Sequence, residues 1–149
     1  MLRSIYFLGV LTIFLTTSCS SDDSETPIEI RNPEGVVIRN VGDNYFVDIY
    51  FDRISVGSNG VLQGTGDYFS FVINASDLSG KYDLSEPNVS VSAIEDFNPV
   101  QPDNAVIKFP SQALLTVDKE DDEVSKVTYT LTYDGVEYQG ETSSNISEF

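Results

Sequence analysis

Residues 127–138 read Val127-Thr128-Tyr129-Thr130-Leu131-Thr132-Tyr133-Asp134-Gly135-Val136-Glu137-Tyr138. Val127, Tyr129, Leu131 and Tyr133 alternate with three threonines, so an extended chain gains one apolar and one polar face. Asp134-Gly135 supplies residues that tolerate positive φ at both central positions of a type I′ hairpin. A two-residue turn there sets Tyr133 against Val136 and Leu131 against Tyr138. The apolar face then continues across the turn.

The same period extends through the chain. Residues 44–52 (NYFVDIYFD) put Tyr45, Val47, Ile49 and Phe51 on one side and Phe46, Asp48, Tyr50 and Asp52 on the other. Residues 68–73 place Phe69, Phe71 and Ile73 together, and residues 89–93 alternate Val with Ser. Weaker strand candidates are 36–41, 105–109 and 113–117. Between them lie turn residues: Gly64-Thr65-Gly66, Ser79-Gly80, the Pro99/Pro102 loop, and Ser58-Asn59-Gly60, which reads as a loose loop. Pro110 closes the strand before it, because proline cannot donate to a ladder. No window offers an amphipathic helix. A single all-β domain over residues 27–149 is expected, built as an antiparallel sandwich or barrel.

If Tyr45, Val47, Ile49 and Phe51 face the core, Phe46 and Tyr50 point outward beside Asp48 and Asp52. Four residues along a strand span about 13 Å, which separates two rings with a carboxylate between them. Such a platform suits a sugar, whose C–H faces stack while its hydroxyls donate to the acids. The competing arrangement packs both rings on cross-strand neighbours or under a loop.

The first residues follow other rules. Arg3 supplies a positive start, and residues 5–15 (IYFLGVLTIFL) form an apolar run too short for a hydrocarbon core that needs roughly 20 residues in a helix. This reads as a secretory signal peptide over residues 1–18. The segment Leu15-Thr16-Thr17-Ser18-Cys19 ends on the chain's single cysteine. It resembles the lipobox of bacterial lipoproteins, whose cysteine thiol receives a diacylglycerol and becomes the mature N-terminus. The match departs from the usual pattern in that Leu15 lies four residues before Cys19 and Thr16 replaces an aliphatic residue. The alternative is an ordinary signal peptide with an incidental cysteine.

Residues 19–26 follow as a lipidated, flexible tether, polar and acidic through Ser20-Ser21-Asp22-Asp23-Ser24-Glu25. That stretch resembles the export signal of surface-exposed lipoproteins in Bacteroidota-type bacteria; a plain periplasmic linker is the alternative. Three further features bear on family: Gly64-Thr65-Gly66 before Tyr68, Leu78-Ser79-Gly80-Lys81-Tyr82 opening an extended segment, and the terminal hairpin from Tyr129 to Gly140. Together they are similar to small β-domain lipoproteins of Bacteroidota-type bacteria. That resemblance implies an all-β fold and an envelope location; with the export signal, the expected place is the outer membrane facing the exterior, the periplasmic face being the alternative. It brings no catalytic residues.

Composition bounds the chemistry. A net charge of −16 with only 8 Lys and Arg makes nucleic acid a poor partner. Membrane association is expected through the lipid on Cys19, each buried CH₂ contributing roughly 0.8 kcal/mol. Histidine is absent, which removes the usual general base, and no Cys–His or Ser–His pairing can form. An enzyme is not expected, and no cofactor is called for. Asp118, Glu120, Asp121, Asp122 and Glu123 crowd one short run, where hard oxygen ligands could hold calcium. The glycine and spacing of an EF-hand loop are missing, which favours a solvated turn. Two functions follow: a non-catalytic binding module for a glycan or an envelope protein, or a structural or accessory lipoprotein of an outer-membrane complex.

Overall fold

A computed structural model describes residues 25–149. Among them the chain forms thirteen strands and one short 3₁₀ turn at Pro102–Asn104. A five-stranded sheet runs in the order β1 (Ile28–Ile30), β12 (Val136–Thr142), β11 (Glu123–Tyr133), β10 (Gln112–Glu120), β7 (Gly80–Asp83). A six-stranded sheet runs β13 (Ile146–Glu148), β2 (Gly35–Val41), β3 (Asn44–Tyr50), β6 (Gly66–Asn74), β8 (Val89–Phe97), β9 (Val106–Lys108). A separate hairpin joins β4 (Ile54–Val56) to β5 (Leu62–Gly64). The all-β fold expected from the alternation is present, and the two large sheets pack as a sandwich. No helix among the described residues is long and apolar enough to cross a membrane.

The 127–138 stretch behaves as its pattern demands. Tyr133 pairs with Val136 and Leu131 with Tyr138. Asp134 and Gly135 take φ of 51° and 77°, the positive values a type I′ turn requires. Val127, Tyr129, Leu131 and Tyr133 are all buried.

Two features differ from a purely antiparallel reading. The edge strands β1 and β13 join β12 and β2 in parallel, because each comes from far along the chain rather than from a hairpin. The strand starting at Asn44 ends at Tyr50 rather than Asp52. Asp52 and Arg53 take φ of 26° and 55° and turn the chain out of the sheet.

The core lies between the sheets. Val47, Ile49 and Phe51 meet Phe69, Phe71 and Ile73 from one sheet, facing Leu115, Val117, Tyr129 and Leu131 from the other. Phe69 is its hub. Its ring centroid lies 4.9 Å from Phe51 and 5.4 Å from Tyr129 in edge contacts, with Tyr133 and Tyr138 near 6 Å away. Burial pushes the phenols of Tyr129 and Tyr133 well above their ordinary value of 10.

The outer face of the six-stranded sheet is also covered. The β4–β5 hairpin folds back over it, and Ile54 and Leu62 pack on Val37 and Tyr50. Strand β2 is therefore buried on both sides, with Val36 and Ile38 inward and Val37 outward. Gly60, at the tip of this hairpin, is not in a loose loop. It is buried at φ 73°, and a Cβ there would stand 2.9 Å from the Phe149 ring.

A Cβ at Gly135 would meet nothing within 4 Å, so the cost of Gly135→Val is backbone strain alone, about 1–2 kcal/mol. Gly60→Val adds a clash to the same strain and should lower the denaturation midpoint at least as much. Gly135→Asn, which tolerates left-handed backbone, should be close to neutral. A Gly60→Val variant clearly more stable than Gly135→Val would contradict this packing.

Candidate functional site

The residues singled out on β3 do face away from the core, but not into open solvent. Asp48 is 2% exposed and Tyr50 is 8% exposed. Asp48 sits directly across from Ser70 on β6, whose Oγ donates to Asp48 Oδ1 at 2.6 Å, and Arg39 Nη2 pairs with the other carboxylate oxygen. The same guanidinium lies 5.5 Å from the Phe46 ring, which is half-buried. Tyr50 is covered by the β4–β5 hairpin, and burial together with Glu34 raises its pKa. Tyr68, its cross-strand neighbour, is raised by burial and by Asp48, with Arg39 acting against the rise.

The expected pair of exposed rings flanking a carboxylate is thus corrected. A hairpin missed in the sequence covers one ring, and an ion pair takes up the acid. Only Asp52 remains exposed, and it belongs to a different place.

The acidic run at 118–123 forms the β10–β11 hairpin. Asp121 and Asp122 occupy the turn with φ of 52° and 71°, while Asp118 and Glu120 lie on β10 and Glu123 opens β11. Among the described residues, no three Asp, Glu, Cys or His side chains are grouped as a metal ion would need. Cys19 lies outside the described residues.

A cleft not foreseen in the sequence opens at one end of the sandwich, with a volume of about 320 Å³. Four separate segments build it: the β1–β2 connection through Arg31, the turn after β3 through Asp52 and Arg53, the start of β6 through Thr65 to Asp67, and the end of β8 through Asp96 to Asn98. Its floor is tied to the core. The Arg31 guanidinium lies 4.1 Å from the centroid of the Phe51 ring, and Arg31 Nη2 meets Asp67 Oδ2 at 2.8 Å. Asp67 Oδ1 accepts from the Asp96 amide at 3.0 Å, where the β6–β8 register shifts between Gly66 and Tyr68. Phe97 stands edge-on to Tyr68 at 5.2 Å.

Three non-glycine residues beside this cleft, Asp52, Arg53 and Asp96, hold positive φ. Such backbone is costly and persists only where surrounding contacts over-determine it. Asp67 and Arg31 are spent on each other. The side chains of Asp52, Arg53, Thr65 and Asp96 have no hydrogen-bond or ion-pair partner among the described residues. In the sequence these positions are signalled by Asp52 at the end of the β3 stretch, by the Gly64-Thr65-Gly66 turn and by the Pro99/Pro102 loop that follows Asn98.

A larger depression of about 460 Å³ lies on the outer face of the five-stranded sheet, over Leu114, Thr130 and Thr132. Its walls are regular strands, and Asp83 and Glu137 are its only charged side chains. Comparison of the chain with protein-family models, with curated proteins and with solved structures finds no match in any of the three.

The Arg39–Asp48 pair is asymmetric, and so are its deletions. Arg39→Ala strands a carboxylate whose side chain is 3% exposed and should cost about 3 kcal/mol. Asp48→Ala leaves a guanidinium that is 35% exposed, which water can solvate, and should cost less. Chemical denaturation of both variants checks the order; equal losses would contradict a buried acid held by a half-open base.

Proposed function

We propose that this chain is a lipid-anchored cell-envelope lipoprotein, carried to the outer membrane and facing the exterior, that acts as a non-catalytic binding module. The observation that carries the reading is the place of its one cysteine. Cys19 follows an apolar run and small residues, and an acidic stretch joins it to a domain whose first strand starts at Ile28. That order is what an anchored, outward-held domain requires. A diacylglycerol on Cys19 supplies membrane affinity without basic residues, so an acidic chain, of net charge −16 over its full length, can stand off from anionic headgroups.

The domain's chemistry supports binding over turnover. Its polar side chains without a partner among the described residues are carboxylates, Arg53, Lys81, hydroxyls and amides, which recognise a ligand by hydrogen bonds. A glycan suits such groups. A second reading, an accessory lipoprotein seated on an envelope protein, is favoured by one feature. On the edge strand β9 Ile107 is 57% exposed, and just after it Phe109 is 78% exposed.

Cys19→Ala should abolish incorporation of labelled fatty acid and move the full chain from the detergent phase to the aqueous phase in Triton X-114 partitioning. Continued acylation of the variant would overturn the anchor. Protease shaving of intact cells should digest the wild-type chain; protection equal to that of a periplasmic control would place it on the inner side.

A further inference from the structure

Resting on the binding-module reading, we propose that the end cleft between Arg53 and Phe97 is the ligand site and that it takes a neutral saccharide. The volume of about 320 Å³ falls at the small end of the roughly 300–1,000 Å³ typical of small-molecule sites, which suits a mono- or disaccharide.

The polar groups left free are of both kinds. Asp52 and Asp96 offer carboxylate acceptors, and Arg53 and the Asn98 amide offer donors; Asn98 Oδ1 is already engaged by the Val100 amide. A sugar hydroxyl both donates and accepts, so a ring bearing several of them satisfies such a mixed set in one pose. Vicinal hydroxyls match the two-nitrogen fork of an arginine and the two oxygens of a carboxylate. Phe97, half-buried against the Val37–Tyr50 cluster and edge-on to Tyr68, is the one aromatic residue in the cleft lining and offers the apolar contact for sugar C–H groups.

Charge selects against the alternatives. A polyanionic glycan approaches against a net charge of −16. Arg53 offsets one of the two free carboxylates, Asp67 is taken up by Arg31, and a metal ion finds no cluster of three acidic ligands among the described residues.

The held backbone provides the means to separate recognition from folding. Arg53 and Asp96 both sit at φ 55°, where asparagine is better accommodated than most residues. Arg53→Asn and Asp96→Asn therefore keep or ease the backbone while removing a guanidinium and a negative charge.

The test uses the full chain in detergent micelles on a microarray of neutral and acidic oligosaccharides, followed by calorimetric titration with the strongest neutral hit. Neutral sugars should bind, and the Arg53→Asn/Asp96→Asn double variant should bind at least tenfold more weakly with a melting temperature no lower than wild type. Wild-type affinity in the double variant would overturn the cleft while leaving the binding-module reading in place. Preference for acidic glycans would overturn the ligand class. Failure of the wild-type chain to bind any arrayed sugar would overturn the saccharide assignment and remove the glycan support for the binding-module reading as well.

Discussion

The contact between the Arg31 guanidinium and the Phe51 ring, 4.1 Å to the centroid, is the constraint on which the rest of this structure turns. Phe51 is the last aromatic of the inter-sheet cluster centred on Phe69, at the point where β3 leaves its sheet. Placing a cation on that ring closes the end of the core while keeping the charge hydrated on its outer side, an arrangement worth about 0.5–2 kcal/mol. Arg31 is fixed from several directions. Its carbonyl accepts the Tyr129 hydroxyl, its amide donates to Gln139, and its side chain pairs with Asp67. The packing of tyrosines and phenylalanines between two sheets is thereby transmitted to Asp67, to the Asp96 amide and to the shape of the end cleft.

A second constraint is that the six-stranded sheet must be covered on both faces. Its inner face meets the other sheet, and its outer face carries Val37 and Tyr50, too apolar to leave in water. The β4–β5 hairpin supplies the cover with Ile54 and Leu62. This leaves Asp48 in the lee of that cover, where a carboxylate survives only because Arg39 and Ser70 neutralise and hydrogen-bond it. The residues that alternation places on an outward face are therefore structural here. The unpartnered polar side chains gather instead at the end of the sandwich, where strands stop and backbone is irregular.

The fold was legible because its long strands obey a period of two and the Asp134-Gly135 turn announces its own register. Strands β3, β6, β8 and β11 all carry that pattern. What escaped is what local pattern cannot hold. Ile54-Ser55-Val56 and Leu62-Gln63-Gly64 are three residues each, too short for a period to emerge. The parallel joins of β1 and β13 depend on pairings across most of the chain, such as Ile28 with Glu137. Phe46, Asp48 and Tyr50 do lie on the outward face that alternation assigns them, but a distant hairpin and an ion pair decide their exposure. Asp52 alone reaches the cleft. Its partners there come from residues 31, 65–67 and 96–98, a convergence that only tertiary structure creates.

The most direct test of this account is an amide chemical-shift comparison between the full chain and its Arg31→Ala variant. Tyr129 bonds to the backbone of residue 31, so the fold should survive the loss of the side chain. If Arg31 couples the core to the cleft, amide shifts should move at Asp67, Asp96 and Phe97 as well as at Phe51, with the remaining strands unchanged. Perturbation confined to the immediate chain neighbours of residue 31 would contradict it.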